Sequence, residues 1–211
     1  MNLSEFEEEF AVLGDNYKTK DLDRFNRSLI KRRVNVDFLA DIVLEDQRFH
    51  RTYFQVSLAQ RITMEEKLRF IEDNFDKLQD WWHVDQLLQF VDKYLVFDEV
   101  YEKAKSYIRD ERLFARRWGY VIFMTSLVKD EENADKIFLL FKDDDEYYVQ
   151  MAQAWLISYL GIYYPEKTAE YLKKCSLKYN IVGKAIQKIC DSFRVSSENK
   201  NMFREIRKLY K

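Results

Sequence analysis

Three observations predict an all-α fold. The chain has only one proline and four glycines in 211 residues, and these are the residue types that interrupt helices. It is 47% hydrophobic and 34% charged, a balance typical of helices with one packed face and one solvated face. Ser4 with Glu7, and Thr63 with Glu66, match the capping box that marks a helix start. We therefore expect an all-α protein.

Apolar periodicity predicts a series of closely spaced helices. Their expected ranges are 4–13, 22–30, 35–44, 46–60, 64–76, 79–92, 97–108, 111–128, 131–141, 146–163, 165–174, 178–191 and 197–209. The connections are short, and the chain lacks a linker rich in serine, glycine or proline. Consecutive helices are therefore expected to be neighbours in one domain that spans residues 1–211.

The sequence argues against several classes of enzyme. Its glycines are scattered, so no glycine-rich loop is present to hold a nucleotide phosphate. His50 and His83 are the only histidines, and the GxSxG motif of serine hydrolases is absent. Cys175 and Cys190 have no CxxC or histidine cluster beside them, so we expect buried thiols and no structural zinc.

The first residues, MNLSEFEEEF, are acidic and lack the apolar core of an export signal. No apolar run approaches the length of a membrane span. The sequence therefore predicts a soluble, cytoplasmic protein that does not associate with a membrane, and we expect a monomer.

Two segments resemble each other at an offset of 35 residues. LFARRWGYVIFMTSL (113–127) laid on YVQMAQAWLISYLGI (148–162) aligns Gly119 with Ala154 and Tyr120 with Trp155. FHRTYFQVSLAQRI, which begins at Phe49, fits more loosely. Large aromatics beside small residues at such a period are typical of stacked helix pairs of the HEAT type. An irregular helical bundle is the alternative.

The stretch DWWHVDQLLQF (80–90) carries an acid at the edge of an amphipathic helix. On a helical wheel, Val84 and Leu87 fall in the buried stripe, and Asp85 lies just outside it. Asp85 follows Trp81 by four residues, the spacing that brings side chains together. It is interpreted either as a half-shielded acid against an aromatic wall or as a boundary aspartate that bonds a neighbouring helix.

The WxxxD of Trp81 and Asp85, FARRW (114–118), MAQAWLISYLGIYYPE (151–166) and AIQKICDSFRV (185–195) resemble the AlkD-like DNA alkylation repair family. The similarity is clearest from about residue 46 to the C-terminus. It implies a HEAT-like (ARM-type) helical repeat solenoid, a curved right-handed superhelix that wraps duplex DNA. Active members are DNA glycosylases that remove positively charged N3- or N7-alkylated purines.

The resemblance also implies roles for individual residues. Asp85 takes the place of the catalytic carboxylate, and Trp81 and Trp155 take those of the aromatics against the lesion-bearing nucleotide. Arg117 matches a DNA-contacting arginine. The expected partner is duplex or branched DNA, including alkylated DNA, and no metal or small-molecule cofactor is expected. We expect Trp81, Trp155 and Arg117 to open onto one concavity.

Two features keep other functions open. The segment FNRSLIKRRVNVDFLADIV (25–43) is shorter than expected for active members, and the formal charge of −2 is poor for holding a polyanion. The alternatives are a non-catalytic binder of damaged or branched DNA and a helical-repeat protein-interaction scaffold. Local basic clusters would have to supply phosphate contacts: Arg27, Lys31, Arg32 and Arg33; Arg112, Arg116 and Arg117; and Lys200, Arg204, Arg207, Lys208 and Lys211.

Overall fold

A computed structural model describes residues 1–210, and within that range the chain is helical and contains no strand. The all-α prediction is confirmed. The α-helices are α1 (Leu3–Ala11), α2 (Thr19–Lys31), α3 (His50–Ala59), α4 (Met64–Asp73), α5 (Trp81–Asp85), α6 (Leu88–Val91), α7 (Phe97–Tyr107), α8 (Leu113–Val121), α9 (Glu131–Phe138), α10 (Tyr147–Tyr163), α11 (Pro165–Lys174), α12 (Tyr179–Asp191) and α13 (Ser197–Lys208).

The helices group into two compact units. The first unit is Met1–Tyr94, and the second begins at Leu95. The single domain expected over residues 1–211 stays a prediction. None of the helices within residues 1–210 combines the length and the apolarity that crossing a bilayer would demand.

The two predicted helix starts have different outcomes. Thr63 caps α4 as expected: its hydroxyl accepts from the Glu66 N–H at 3.1 Å, and the Glu66 carboxylate accepts from the Thr63 N–H at 3.0 Å. The box at Ser4 is wrong, because α1 begins one residue earlier and Asn2 exchanges the same pair of bonds with Glu5. Both Asn2 and Ser4 are followed three residues later by glutamate, so the pattern left two frames open.

The helix predicted over 35–44 is wrong. Two separate 3-10 turns, Asp37–Leu39 and Ile42–Leu44, replace it. Asn35 donates to the Asp37 carboxylate at 2.9 Å and accepts from the Asp37 N–H at 2.7 Å. This local side-chain bonding competes with a continuous helix, while the buried Leu39 is still delivered to the core. A 3-10 turn, Gln47–Phe49, likewise precedes α3 where a helix from residue 46 was expected.

Two further predicted helices are interrupted. The helix predicted over 111–128 stops at Val121, where the backbone changes to tighter bonds from Phe123 N–H to Tyr120 at 3.3 Å and from Met124 N–H to Val121 at 2.9 Å. A separate 3-10 turn, Ser126–Lys129, follows, and the Thr125 hydroxyl accepts from the Leu127 N–H at 3.3 Å at its start. The helix predicted over 79–92 is divided into α5 and α6. Between them the backbone makes tighter bonds of the 3-10 kind, from Leu87 N–H to Val84 at 3.0 Å and from Gln89 N–H to Gln86 at 3.1 Å.

Phenylalanines fill the core around α1 in the first unit. The Phe6 ring is fully buried, and its centroid lies 5.7 Å from Phe10, 5.8 Å from Phe25, 5.7 Å from Phe38 and 5.3 Å from Phe49. These tilted and edge-to-face contacts are the geometry that aromatic quadrupoles favour. They connect α1 and α2 to the short turns that precede α3.

A chain of buried polar groups joins α2, α3 and α5 in the first unit. Arg51 donates from Nε to the Asp23 carboxylate at 2.8 Å and from Nη1 to the Gln86 Oε1 at 3.4 Å. The Gln86 amide then donates to the His50 Nδ1 at 2.9 Å, and the His50 Nε2 donates to the Lys77 carbonyl at 3.1 Å. Because a carbonyl oxygen only accepts, the proton of His50 is on Nε2, and each group in the chain is satisfied.

The two histidines stack on each other inside this unit. The His50 and His83 ring centroids are 3.5 Å apart, with 10° between the ring planes, and both residues are at most 1% exposed. His83 Nδ1 accepts from the Gln79 N–H at 3.1 Å. Burial lowers the pKa of His50 to about 3, with a further contribution from His83, and burial lowers the pKa of His83 to about 4. Both rings are therefore neutral at neutral pH.

Helix α10 lies at the centre of the second unit, where it packs against α8, α11 and α12. Ala154, Ile157 and Ile189 belong to the same buried cluster. Gly161 lets α12 approach closely, since a Cβ at this position would come within 2.5 Å of the Ile189 Cδ1. The close packing of these helices leaves one side of α10 for other contacts.

The two cysteines lie at the edge of this core. Cys175 and Cys190 are free thiols that pack against the buried cluster, but each is half-buried. The expected buried thiols therefore lie against the core, but neither is fully buried. The Cys175 Sγ lies 3.2 Å from the Tyr210 hydroxyl, which explains why a polar atom is tolerated at that edge.

The stacked histidines predict acid lability of the first unit. In the unfolded chain each histidine titrates near 6.5, whereas in the folded chain both stay neutral to about pH 4. As the pH falls below 6.5, protons bind the unfolded state preferentially, so the free energy of unfolding should fall by up to about 1.4 kcal/mol per pH unit for each histidine. Denaturant unfolding between pH 7 and pH 5 measures this slope.

The control is His83→Phe, which keeps a ring in the stack but removes one titrating group. Its slope should be about half that of the wild-type protein. Equal slopes in the two proteins would contradict the assignment of the acid lability to this pair.

Candidate functional site

The short helix α5 carries the two sequence-predicted residues of the first unit at its two ends. Trp81 is its first residue and Asp85 its last. The Asp80 carboxylate accepts from the Trp81 N–H at 2.6 Å, which fixes the backbone at the start of α5. Trp81 is 46% exposed, and Asp85 is half-buried. An accessible indole and a partly shielded carboxylate thus lie one helical turn apart.

The two adjacent tryptophans face different surroundings. The Trp82 ring packs against His83 at 4.1 Å and against His50 at 5.4 Å, both with near-perpendicular planes. Trp81 makes no such contact with the histidines and is the more exposed of the two. Of this pair, Trp81 is therefore the ring that a ligand in solvent can reach.

The inner side of α5 is fixed by groups that sequence reasoning missed. Val84 is fully buried, as its place in the apolar stripe predicted, but His83 and Gln86 are also buried. Gln86 directly follows Asp85 and is held by Arg51 and His50. The sequence gives little signal for this, since His83 and Gln86 lie outside the apolar stripe of Val84 and Leu87 on a helical wheel.

Arg117, on α8, is almost enclosed in the second unit. It is 4% exposed, and its Nη1 donates to the Tyr148 carbonyl of α10 at 2.7 Å. The neighbouring Phe114 ring lies 5.8 Å from the Tyr148 ring. Arg117 therefore anchors α8 to the start of α10, and this geometry neither tests nor removes its predicted contact with DNA.

Trp155 lies in the middle of α10 and is half-buried. Its ring centroid is 6.2 Å from that of Tyr159, at a steep angle of 75°. The next residues of α10, Leu156 and Ile157, are fully buried, and the Ser158 hydroxyl donates to the Trp155 carbonyl at 2.6 Å. The side of α10 beside Trp155 thus presents a ring and no basic group from this segment.

The four predicted site residues therefore fall into two sets. Trp81 and Asp85 share α5 in the first unit, and Arg117 and Trp155 lie on contacting helices of the second. Their convergence on one concavity stays a prediction.

In the predicted basic clusters, some side chains bond a neighbouring carboxylate, amide or hydroxyl and others do not. Arg32 forms a bidentate pair with Glu9 at 2.8 and 3.0 Å, and hydrogen bonding to this arginine lowers the pKa of the glutamate. Other side chains have partners as well: Arg112 with Asp110, Arg116 with Asp144, Arg204 with Asn201, Arg207 with Tyr179 and Lys208 with Glu205.

A smaller set is available to an anion. Arg27, Lys31 and Arg33 are exposed, and no carboxylate within residues 1–210 lies within 4 Å of their cationic groups. Lys211, the last base of the C-terminal cluster, lies outside the described residues. We name Arg27, Lys31 and Arg33 the α2 basic patch.

Comparison with known proteins identifies the family. No curated protein and no solved structure gives a significant match to this chain. The family model described as DNA alkylation repair enzyme matches residues 6–205. This range includes the N-terminal segment in which the sequence resemblance was weakest, and the family has the HEAT-like fold class that was predicted. Since the match spans nearly all of the 211 residues, the chain belongs to the DNA alkylation repair enzyme family.

Proposed function

We propose that this protein binds DNA through its phosphates and releases cationic N3- or N7-alkylpurines at α5, with Asp85 as the catalytic carboxylate. The observation that carries the proposal is the pairing, on one short helix, of an accessible Trp81 ring with a partly shielded Asp85. The family supports a role in DNA alkylation repair. The proposed release of cationic alkylpurines by Asp85 rests on the chemistry that a single carboxylate beside an aromatic ring can perform.

A cationic alkylpurine suits a site with one carboxylate. When the bond from C1′ to the base nitrogen breaks, its electron pair leaves with the base and neutralises the positive charge. No general acid is needed to protonate the leaving base. The sugar that remains has oxocarbenium character, which a nearby carboxylate stabilises. Water then adds to C1′ and gives up a proton to Asp85 or to solvent.

Trp81 would provide an aromatic face to the cationic nucleotide. Such contacts contribute about 0.5–2 kcal/mol, depending on how far the cation is desolvated. Trp81 is exposed enough to accept a ligand, and the Asp80 cap fixes its backbone. Trp155 is proposed to contact the lesion-bearing strand in the same way from the second unit.

Phosphate contacts would supply most of the affinity. The α2 basic patch supports this, because its exposed cations have no carboxylate partner among residues 1–210. Each neutralised phosphate releases counterions, so the binding constant should fall steeply with salt concentration. Arg117 is proposed as a further phosphate contact.

A second candidate is a non-catalytic binder of damaged or branched DNA. The observation that favours it is the segment after Trp155, where Leu156, Ile157 and Ser158 are buried and none of them offers a basic group to the substrate. This candidate shares the phosphate contacts and differs only in the absence of base release. The two are therefore separated by the excision assay below.

Arg117→Ala should lower the affinity for DNA of any sequence and reduce the salt slope by about one unit, because a phosphate contact carries no base information. Titrations of one duplex at several salt concentrations measure both quantities. Arg117→Lys is the matched control. It should keep the salt slope because it keeps the positive charge, although it loses the planar guanidinium that bonds the Tyr148 carbonyl.

Thermal unfolding of both Arg117 variants separates a lost phosphate contact from a loosened α8. If Arg117→Ala leaves slope and affinity as in the wild-type protein, Arg117 does not contact phosphate.

Asp85→Asn should abolish the release of N7-methylguanine and N3-methyladenine from methylated DNA. The substitution keeps the shape of the side chain but removes the charge that stabilises the transition state. The affinity for DNA should stay the same or rise, because a negative charge is removed from a surface that faces phosphates. Chromatography of released bases, together with a binding titration, measures both effects.

Asp92→Asn is the matched control for Asp85→Asn, since it removes a carboxylate from the exposed turn after α6. It should leave base release unchanged. If the wild-type protein binds methylated DNA but releases no base, the catalytic proposal fails and the binding-only function replaces it.

A further inference from the structure

One side of α10 carries aromatic rings on three successive turns. Trp155, Tyr159 and Tyr163 follow one another at intervals of four residues, and all three are half-buried. Leu156 and Leu160, which lie between these rings in the chain, are fully buried. We name Trp155, Tyr159 and Tyr163 the aromatic face.

The polar atoms of the aromatic face are unused. Within residues 1–210, the Trp155 indole N–H and the hydroxyls of Tyr159 and Tyr163 make no hydrogen bond. Tyrosines with a structural role in the same unit differ, since Tyr120 donates to the Leu140 carbonyl and Tyr164 to the Lys129 carbonyl. The aromatic face therefore offers three donors for which the described chain provides no acceptor.

A cation lies over the same rings. The guanidinium carbon of Arg194 is 5.7 Å from the Tyr159 centroid and 5.8 Å from the Tyr163 centroid. Arg194 is exposed, and no carboxylate among residues 1–210 lies within 4 Å of its guanidinium. The preceding residue, Phe193, is 94% exposed. The backbone of this loop is fixed by the Arg194 N–H, which donates to the Ser192 hydroxyl at 3.2 Å, and by the buried Val195.

Rings, unused donors and an unpaired cation together fit one class of ligand. Unpaired bases stack on aromatic side chains whatever their sequence, and phosphates accept from arginine, hydroxyl and indole donors. A duplex hides the faces of its bases, so it cannot use the rings in this way. A protein helix would cover the apolar rings but would leave the donors and Arg194 without acceptors.

We propose that the aromatic face, together with Phe193 and Arg194, binds a single-stranded stretch of DNA. The eight helical steps from Trp155 to Tyr163 span roughly 12 Å along the helix axis. At about 3.4 Å per stacked nucleotide, this is the length of about three or four nucleotides. The inference rests on the proposed DNA-binding function and adds a preference for unpaired nucleotides beside a duplex.

The test compares two labelled DNAs with the full-length protein: a blunt duplex, and the same duplex with a tail of about four thymidines. The tail should tighten binding by at least about tenfold in the wild-type protein, since stacking of each base contributes about fivefold or more. The double substitution Tyr159→Ala and Tyr163→Ala should remove this gain and leave blunt-duplex affinity within about twofold. Fluorescence anisotropy gives the affinities, and circular dichroism melting shows that the variants fold.

Three further variants sharpen the assignment. Tyr159→Phe with Tyr163→Phe keeps the rings and should retain most of the gain, whereas Arg194→Gln removes the cation and should lose part of it. Tyr147→Ala removes a ring that is 61% exposed at the start of the same helix and should keep the full gain.

A tail that gives no gain to the wild-type protein overturns this inference and leaves the proposed duplex binding in place. The same holds if the double alanine variant keeps the gain. If the tailed DNA binds and the blunt duplex does not, the inference stands and the proposed duplex function fails. If neither DNA binds, both fail.

Discussion

The geometry of the candidate site depends on the hydrogen bond between the Gln86 amide and the His50 ring, 2.9 Å long and fully enclosed. Five residues of helix cannot hold their own shape in water, because nucleating a helix costs more than so few bonds return. The helix α5 is held by buried Val84 and His83 and by Gln86, which follows its C-terminal end and is joined to α3 through His50 and Arg51. Tertiary contacts therefore determine the positions of Trp81 and Asp85.

This polar chain is costly to break at any one point. Arg51 is 9% exposed, and its charge is balanced by Asp23 at 2.8 Å. Removing one partner would leave a buried charge or a buried amide without compensation, which costs several kcal/mol in comparable cases. Apolar packing alone would allow α5 to slide along α3. Directional bonds at both the oxygen and the nitrogen of the Gln86 amide favour a single register.

The sequence predicted what local patterns determine and missed what distant contacts determine. The start of α4 at Thr63 and the range of α11 were predicted correctly, because capping and a proline at the first helical position act within one turn. The division of the helix over 79–92 was missed: it falls at Gln86 and Leu87, and the Gln86 side chain bonds a residue 36 positions away, which no local pattern shows. In the same way the apolar stripe predicted that Val84 is buried, while the burial of His83 and Gln86 depends on α3.

The same limit applies to the candidate site. Family resemblance selected Asp85, Trp81, Trp155 and Arg117. The sequence could not, however, distinguish arginines and lysines that pair with a carboxylate from those that do not. Arg32 and Arg33 are neighbours in the chain, yet only Arg32 has a carboxylate partner among residues 1–210. The aromatic face also escaped notice, because tyrosines that pack and tyrosines with unused hydroxyls have the same spacing. Only the hydrogen-bond partners separate them.

The stacked histidines have one more consequence, which concerns how the folded molecule responds to acid. His50 and His83 are the only imidazoles of the chain, and both remain uncharged down to about pH 4. The electric field that α5 experiences from these rings is therefore constant over the whole physiological range of acidity. Both imidazoles are buried and neutral, and they act as packing groups in the core of the first unit. In the folded protein, acidification within this range therefore changes the charge of neither imidazole.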